Sequence, residues 1–216
     1  MTIWQNRRFL ITGAARGTGF ALAAELARLG AAVILGGRQA ADLAAAADRI
    51  GTLCPAARVQ TVPLDLTRTA DLEACAAMLQ SGGPLAGPLD GLINNGALWL
   101  PDRLDTLSPE AIADCIGSAV TGTIILTRLL LPMLKAAPAA DIVTIGSISG
   151  LQNSPLNGAS LPFFAAKHAQ TGFADGLRQE LRGTTVRAHA IHPPNLDDVM
   201  PGTPAWVEAG SRGKSR

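Results

Sequence analysis

A doubly wound parallel α/β sheet with helices on both faces is the fold class this sequence predicts, on three observations. Short β-rich runs alternate with longer Ala- and Leu-rich segments of helical period, a pattern that implies parallel strands covered by helices. A glycine-rich turn, Thr12-Gly-Ala-Ala-Arg-Gly-Thr-Gly19, stands where the first strand passes into the first helix. A chain of 216 residues with 48% hydrophobic and 16% charged content suits one globular domain, residues 1–216, with a substantial core.

The first strand is Arg8 to Thr12. Its helix carries Phe20, Leu22, Leu26 and Leu29 at helical spacing and stops at Gly30. A second strand, Ala32 to Gly36, precedes a helix from Ala40 to Ile50 that ends at Gly51. Val59 to Pro63 is the third strand. The next helix begins near Thr69, with Asp71 and Glu73 in the first turn, where the helix dipole favours negative charge. Ser81 to Pro88 reads as a Gly/Pro-rich loop, and Gly91 to Asn94 as the fourth strand. Ser108 is an N-cap with Pro109 at the first helical position, opening a long helix through Ile112, Ile116, Val120, Thr123, Leu126 and Leu130. Asp141 to Ile145, a helix from Pro162 to Gly183, and Val186 to Ile191 complete about six strands. Beyond His192 the pattern turns irregular.

Composition narrows the partners. A net charge of +1 supplies no field to recruit nucleic acid or an anionic membrane. No apolar run approaches bilayer-spanning length, and the N-terminus lacks a signal-peptide pattern, so no membrane association is expected. Cys54, Cys75 and Cys115 are odd in number and lack metal-ligand spacing. They read as buried free thiols in a reducing, cytoplasmic setting. Asp197-Asp198 lies in a polar tail and reads as solvated, so no metal site is expected. His168 reads as packing or surface; His189 and His192 flank the end of strand six and read as structural, a ligand contact at the carboxyl edge of the sheet being the alternative for His192. The chain contains no tyrosine.

In the glycine turn, Gly13, Gly17 and Gly19 let the backbone approach a pyrophosphate, while the helix N-terminus beginning near Thr18 offers amide donors. A tight turn needing positive φ would use the same glycines. At the end of the second strand, Gly36-Gly37-Arg38-Gln39 has no acid to hold a ribose 2′-hydroxyl before Asp42. Arg16 adds a second cation beside Arg38. Two guanidinium groups suit a 2′-phosphate, which favours NADP(H) over NAD(H); two solvated arginines are the alternative.

The order of motifs from Arg8 to Pro194 resembles the short-chain dehydrogenase/reductase family. Thr12-Gly13, Gly17 and Gly19 match its TGxxxGxG turn, Asp65-Leu66 its adenine-contacting position, and Asn94-Asn95-Gly96-Ala97 its NNAG element with the last two residues exchanged. Ser147 follows a strand resembling the one that ends in the family's catalytic Ser, and Lys167 occupies the Lys of YxxxK. The resemblance implies a Rossmann-like fold and a family-like core at 1–194, with 195–216 an irregular tail and the family's seventh strand absent. It implies Ser147 and Lys167 as catalytic residues. Cofactor contacts fall to Gly13, Arg16, Gly17, Thr18, Gly19, Arg38, Asp65, Leu66, Asn95 and Lys167. It also implies a small-molecule carbonyl or alcohol substrate and a homo-oligomer pairing through the helices matching Pro109–Ala136 and Pro162–Gly183.

Three positions depart from the family pattern. Phe163 stands four residues before Lys167, where the family has its proton-carrying Tyr. Ala119 replaces an Asn that helps hold a relay water near the Lys, and Pro193-Pro194 replaces Pro-Gly after strand six. Positioned acid–base catalysis contributes roughly 10² to 10⁴ in rate, so the sequence predicts an oxidoreductase with impaired or atypical catalysis. The alternative is a non-catalytic NADP(H)-binding pseudoenzyme acting as a sensor or partner subunit.

Overall fold

Strands β1 (Arg8–Thr12), β2 (Ala32–Gly37), β3 (Arg58–Pro63), β4 (Gly91–Asn94), β5 (Ala140–Ile145) and β6 (Val186–Ile191) pair in parallel in the order β3-β2-β1-β4-β5-β6. The computed structural model describes residues 3–80, 84–156, 158–194, 196, 203–205 and 207–208. Asp197-Asp198 and most of the expected tail at 195–216 therefore lie outside the described residues.

Because successive strand residues face opposite sides, β1 feeds two cores. Phe9 and Ile11 pack with Phe20 and Leu26 of α1 (Gly17–Arg28) and with Leu43 and Ile50 of α2 (Ala40–Leu53). Leu10 faces the other layer, which holds Leu72 and Leu79 of α3 (Thr69–Gln80). Leu126, Leu130 and Leu134 of α5 (Gly122–Ala136) and Leu177 of α6 (Leu161–Glu180) belong to that layer. Each fully buried Leu or Ile contributes about 1.5–3 kcal/mol, so these two stripes are what clamp the sheet.

The long helix predicted after Ser108 is real in extent but interrupted. Ser108 Oγ accepts from Ala111 N at 3.1 Å and caps α4 (Pro109–Ile116), after which Gly117–Thr121 forms a π-helical turn leading into α5. Close approach accompanies the wider turn: a Cβ at Gly122 would run into the Leu66 carbonyl oxygen. The stretch Pro109–Ala136 is 28 residues long with a mean hydropathy of 1.5 in its most apolar window. That is enough to cross a membrane by length and composition, and it corrects the expectation that no apolar run comes close. Here 44% of the window is buried within the fold.

Two helix ends also differ from expectation. Gly51 lies inside α2, which runs on to Leu53, because a single helical glycine costs only about 1 kcal/mol and Cys54 N still bonds Ile50 O at 2.8 Å. Conversely α6 ends at Glu180. Gly183, at φ +79°, belongs to the turn that follows. Cys75 and Cys115 are buried free thiols, with burial pushing Cys75 up to about 12, whereas Cys54 is only half-buried.

At the N-terminal edge of the sheet the buried Asp141 carboxylate gathers cations. Arg187 donates from Nε at 2.9 Å and from Nη2 at 3.0 Å, Arg7 Nη2 lies at 3.1 Å, and His189 Nε2 at 3.3 Å. Burial alone would raise this carboxyl, but the Arg187 and Arg7 hydrogen bonds outweigh it and hold it below its usual range.

Candidate functional site

Strand order reverses between β1 and β4, and in an open parallel sheet the crevice outside the carboxyl ends at such a point is where ligands sit. A cleft of about 830 Å³ occupies this place. The residues expected to contact the cofactor or to act on substrate all line it: the glycine turn, Arg16, Arg38, Asp65-Leu66, Asn95, Ser147 and Lys167; of the three departures, Phe163 and Pro193-Pro194 line it and Ala119 does not.

Thr12 and Asn95 weld the two sides of the crevice. Thr12 Oγ1 accepts from Asn95 N at 3.0 Å and Gly96 N at 2.8 Å, and Asn95 Nδ2 donates to Thr12 O at 2.9 Å and Gly13 O at 3.3 Å. The Asn95 amide thus shapes the turn from behind. Gly13 (φ +65°) and Gly17 (φ +54°) hold left-handed backbone, and a Cβ on Gly19 would collide with the Gly13 carbonyl.

The N-cap of α1, Arg16, makes no side-chain cap hydrogen bond, and the first turn carries no acid. Its leading amides and positive dipole end therefore remain available to an anion at the cleft floor. This backbone cradle, closed to any side chain at Gly19, fits a pyrophosphate.

Arg38 is exposed just beyond β2, Arg16 is exposed in the glycine turn, and both line the cleft. Asp65 Oδ1 accepts from Thr67 N at 2.9 Å and Thr67 Oγ1 at 2.8 Å, a local turn that presents the Asp65-Leu66 segment to the cleft, with Leu66 largely buried.

At the far end, Ser147 caps a short 3₁₀ turn, Ile148–Gly150, its Oγ accepting from Ser149 N at 3.0 Å. The hydroxyl keeps its own proton to donate. Phe163 replaces the expected Tyr inside a small apolar cluster with Cys115 and Ala159. Its ring meets Trp99 edge-on at 4.7 Å between centroids. Pro193 and Pro194 complete this wall. Trp99 carried no sequence signal beyond its aromatic ring on a loop.

Lys167 is only 5% exposed, and its Nζ donates to Ile145 O at 3.0 Å and to Gln170 Oε1 at 2.9 Å, and lies 5.4 Å from the Phe163 ring centroid. Burial pulls its ammonium down to about 8. An ammonium has three donors, so one N–H is left without a protein acceptor among the described residues. Gln170 was not foreseen, since a lone Gln on a helix belongs to no motif. Its only signal was the three-residue spacing from Lys167, which places both on one helix face.

All three histidines make contacts within the fold. His168 packs on Phe164 at 4.5 Å, His189 joins Asp141, and the His192 ring nitrogen lies 3.1 Å from Ser147 O.

Comparison with known proteins agrees with this geometry. A sequence model of the short chain dehydrogenase family matches residues 7–203. Human dehydrogenase/reductase SDR family member 7 is 34% identical over 194 residues; the match covers 82% of this chain and 54% of that protein, so the chain spans about half the length of this relative. A short chain dehydrogenase/reductase from Burkholderia phymatum, solved with NAD, superposes with a TM-score of 0.80 at 25% identity, covering 99% of this chain and 80% of the other. A Shigella flexneri short-chain-dehydrogenase candidate, solved with NADP, gives 0.78 at 29% identity over 90% of this chain and 80% of its own.

Proposed function

The chain belongs to the short-chain dehydrogenase family, and on that premise we propose that it binds NADP(H) and acts as an oxidoreductase on a carbonyl or alcohol substrate, with catalysis slowed by Phe163. The observation that carries this reading is one continuous cleft with an uncapped helix N-terminus behind a glycine cradle at one end and Ser147 with Lys167 at the other. Bound NADP(H) supplies the hydride donor or acceptor. The α1 amides hold its pyrophosphate, and Arg16 with Arg38 prefer a 2′-phosphate to a bare hydroxyl.

Ser147 Oγ–H orients the substrate oxygen. Lys167 contributes its remaining N–H and a positive charge beside the developing alkoxide. Phe163 keeps the ring of the family's tyrosine but carries no exchangeable proton, so the proton reaches the product oxygen from Lys167 or solvent. Orientation against the nicotinamide survives this loss, and the acid–base part of the acceleration, roughly 10² to 10⁴, does not.

A second reading, a nucleotide-binding pseudoenzyme, is favoured by one specific observation. Phe163 and Pro194 line the cleft with Lys167, and Ala119 is tied to Lys167 by hydrogen bonds through Gln170. Titration of the protein with NADPH and NADH, followed by a carbonyl panel beside a Lys167→Ala control, separates the readings. Saturable NADPH binding with oxidation above the control supports the oxidoreductase. Binding without any difference from the control supports the pseudoenzyme, and no binding removes both. Arg38→Glu should weaken NADPH at least tenfold (about 1.4 kcal/mol) and NADH much less; equal losses would remove the phosphate preference.

A further inference from the structure

Gln170 lies on α6 three residues beyond Lys167 and is 1% exposed. Both ends of its carboxamide are in use: Oε1 accepts from Lys167 Nζ at 2.9 Å, and Nε2 donates to the Ala119 carbonyl at 2.8 Å. Burying an amide costs desolvation, and more rotamer entropy than a leucine of similar size loses. The structure meets that cost with two well-made bonds joining a buried cation to a π turn, an element that recurs at functional sites. Gln170 thereby occupies the space between Nζ and the Ala119 carbonyl.

We propose that Gln170 is the positioning residue of Lys167: its carboxamide anchors the ammonium to the Ala119 turn while Ile145 O takes a second N–H, so that the third is directed into the cleft. This rests on the nicotinamide-dinucleotide reading of the cleft and adds to it the group that sets the direction and proton affinity of Lys167. With Gln170 in that space, the ammonium exchanges protons through the cleft and not through the helix layer.

The electrostatics around Lys167 are sparse enough for one neutral partner to matter. Facing it from α4 is Cys115, a thiol that burial pushes up and keeps neutral. His168 turns its ring to Phe164 on its own helix, and His192, after β6, lies against the Ser147 carbonyl. No carboxylate bonds the ammonium among the described residues. The partial negative charge of Gln170 Oε1 stabilises the protonated form.

The chain has three lysines, Lys135, Lys167 and Lys214, so side-chain NMR of ¹³C,¹⁵N-lysine-labelled full chain resolves the titration of Lys167, with Lys167→Arg assigning the signal. Gln170→Leu should lower its midpoint by about one pH unit, and Gln170→Glu should raise it by at least about one. Gln170→Leu should also weaken NADPH binding about tenfold. A residue that merely fills space would change thermal stability and leave the midpoint where it is, so an unchanged midpoint in a folded variant overturns the proposal. Should Gln170→Leu fail to fold, the direction of the Gln170→Glu shift decides alone. If the parent protein binds no NADPH, the dinucleotide reading fails while the midpoint comparison still judges Gln170.

Discussion

At the N-terminal edge of the sheet Asp141 is buried among two arginines and a histidine, whereas at the carboxyl edge Lys167 is buried among a carbonyl, a carboxamide and a phenyl ring. Both are charges withdrawn from water, yet one receives full counter-charge and the other only dipoles. The first arrangement fastens β1, β5 and β6 together. The second leaves an electrostatic debt that a bound anion or a developing oxyanion would relieve, which is where perturbed proton affinities concentrate in working sites.

The strongest way to test the contrast is to give Lys167 an acidic neighbour. Phe163→Tyr should raise NADPH-dependent reduction of a carbonyl panel by roughly 10² to 10⁴, the worth of a positioned proton donor. No gain in steady-state turnover would move the defect to Ala119 or Pro194.

A smaller effect separates the two charges by pH. The folded Lys167 titrates near 8 against an ordinary 10.5, so the unfolded chain holds that proton more tightly. The penalty is complete below pH 8 and fades as pH climbs to 10.5. Across that window the unfolding free energy of the parent should gain about 3 kcal/mol over that of Lys167→Met, read by urea denaturation. Parallel curves for the two proteins would show that the cation is not effectively buried.

Asp141 carries the opposite signature. Its folded carboxyl lies below the ordinary 3.8, so its contribution is present above that value and is lost as pH falls through the folded one. Asp141→Asn should cost about 1.5–3 kcal/mol at pH 7, with the difference shrinking at pH 3. NADPH affinity should stay within about twofold, and a larger change would deny that the two ends act separately.

Much of this molecule was readable beforehand because the relevant signals are local. Gly13, Gly17 and Gly19 announce their backbone demands within eight residues, and the short apolar run Arg8 to Thr12 marks the strand that precedes them. What escaped depends on distant partners. Asp141 meets Arg7 across 134 positions, and Gln170 reaches Ala119 across 51. The π turn sits beside the close approach of Gly122 to Leu66, and neither is encoded in a helical period. The family resemblance marked Phe163 and Ala119 as departures, but not the glutamine that links Lys167 to the Ala119 backbone.

The tryptophans give the two ends separate voices. Trp4 lies 5.8 Å from Phe9 and 5.8 Å from the Arg7 guanidinium, beside the Asp141 network, and Trp99 stands in the cleft wall against Phe163. Indole emission overlaps the absorption of reduced nicotinamide, so Trp99 is a built-in energy donor for whatever dinucleotide enters. Trp206 lies outside the described residues. With it and one other indole replaced by Phe, the remaining ring reports on a single end: Trp4 follows the fastening of the strands, and Trp99 follows occupancy, in the same cuvette and without an added label.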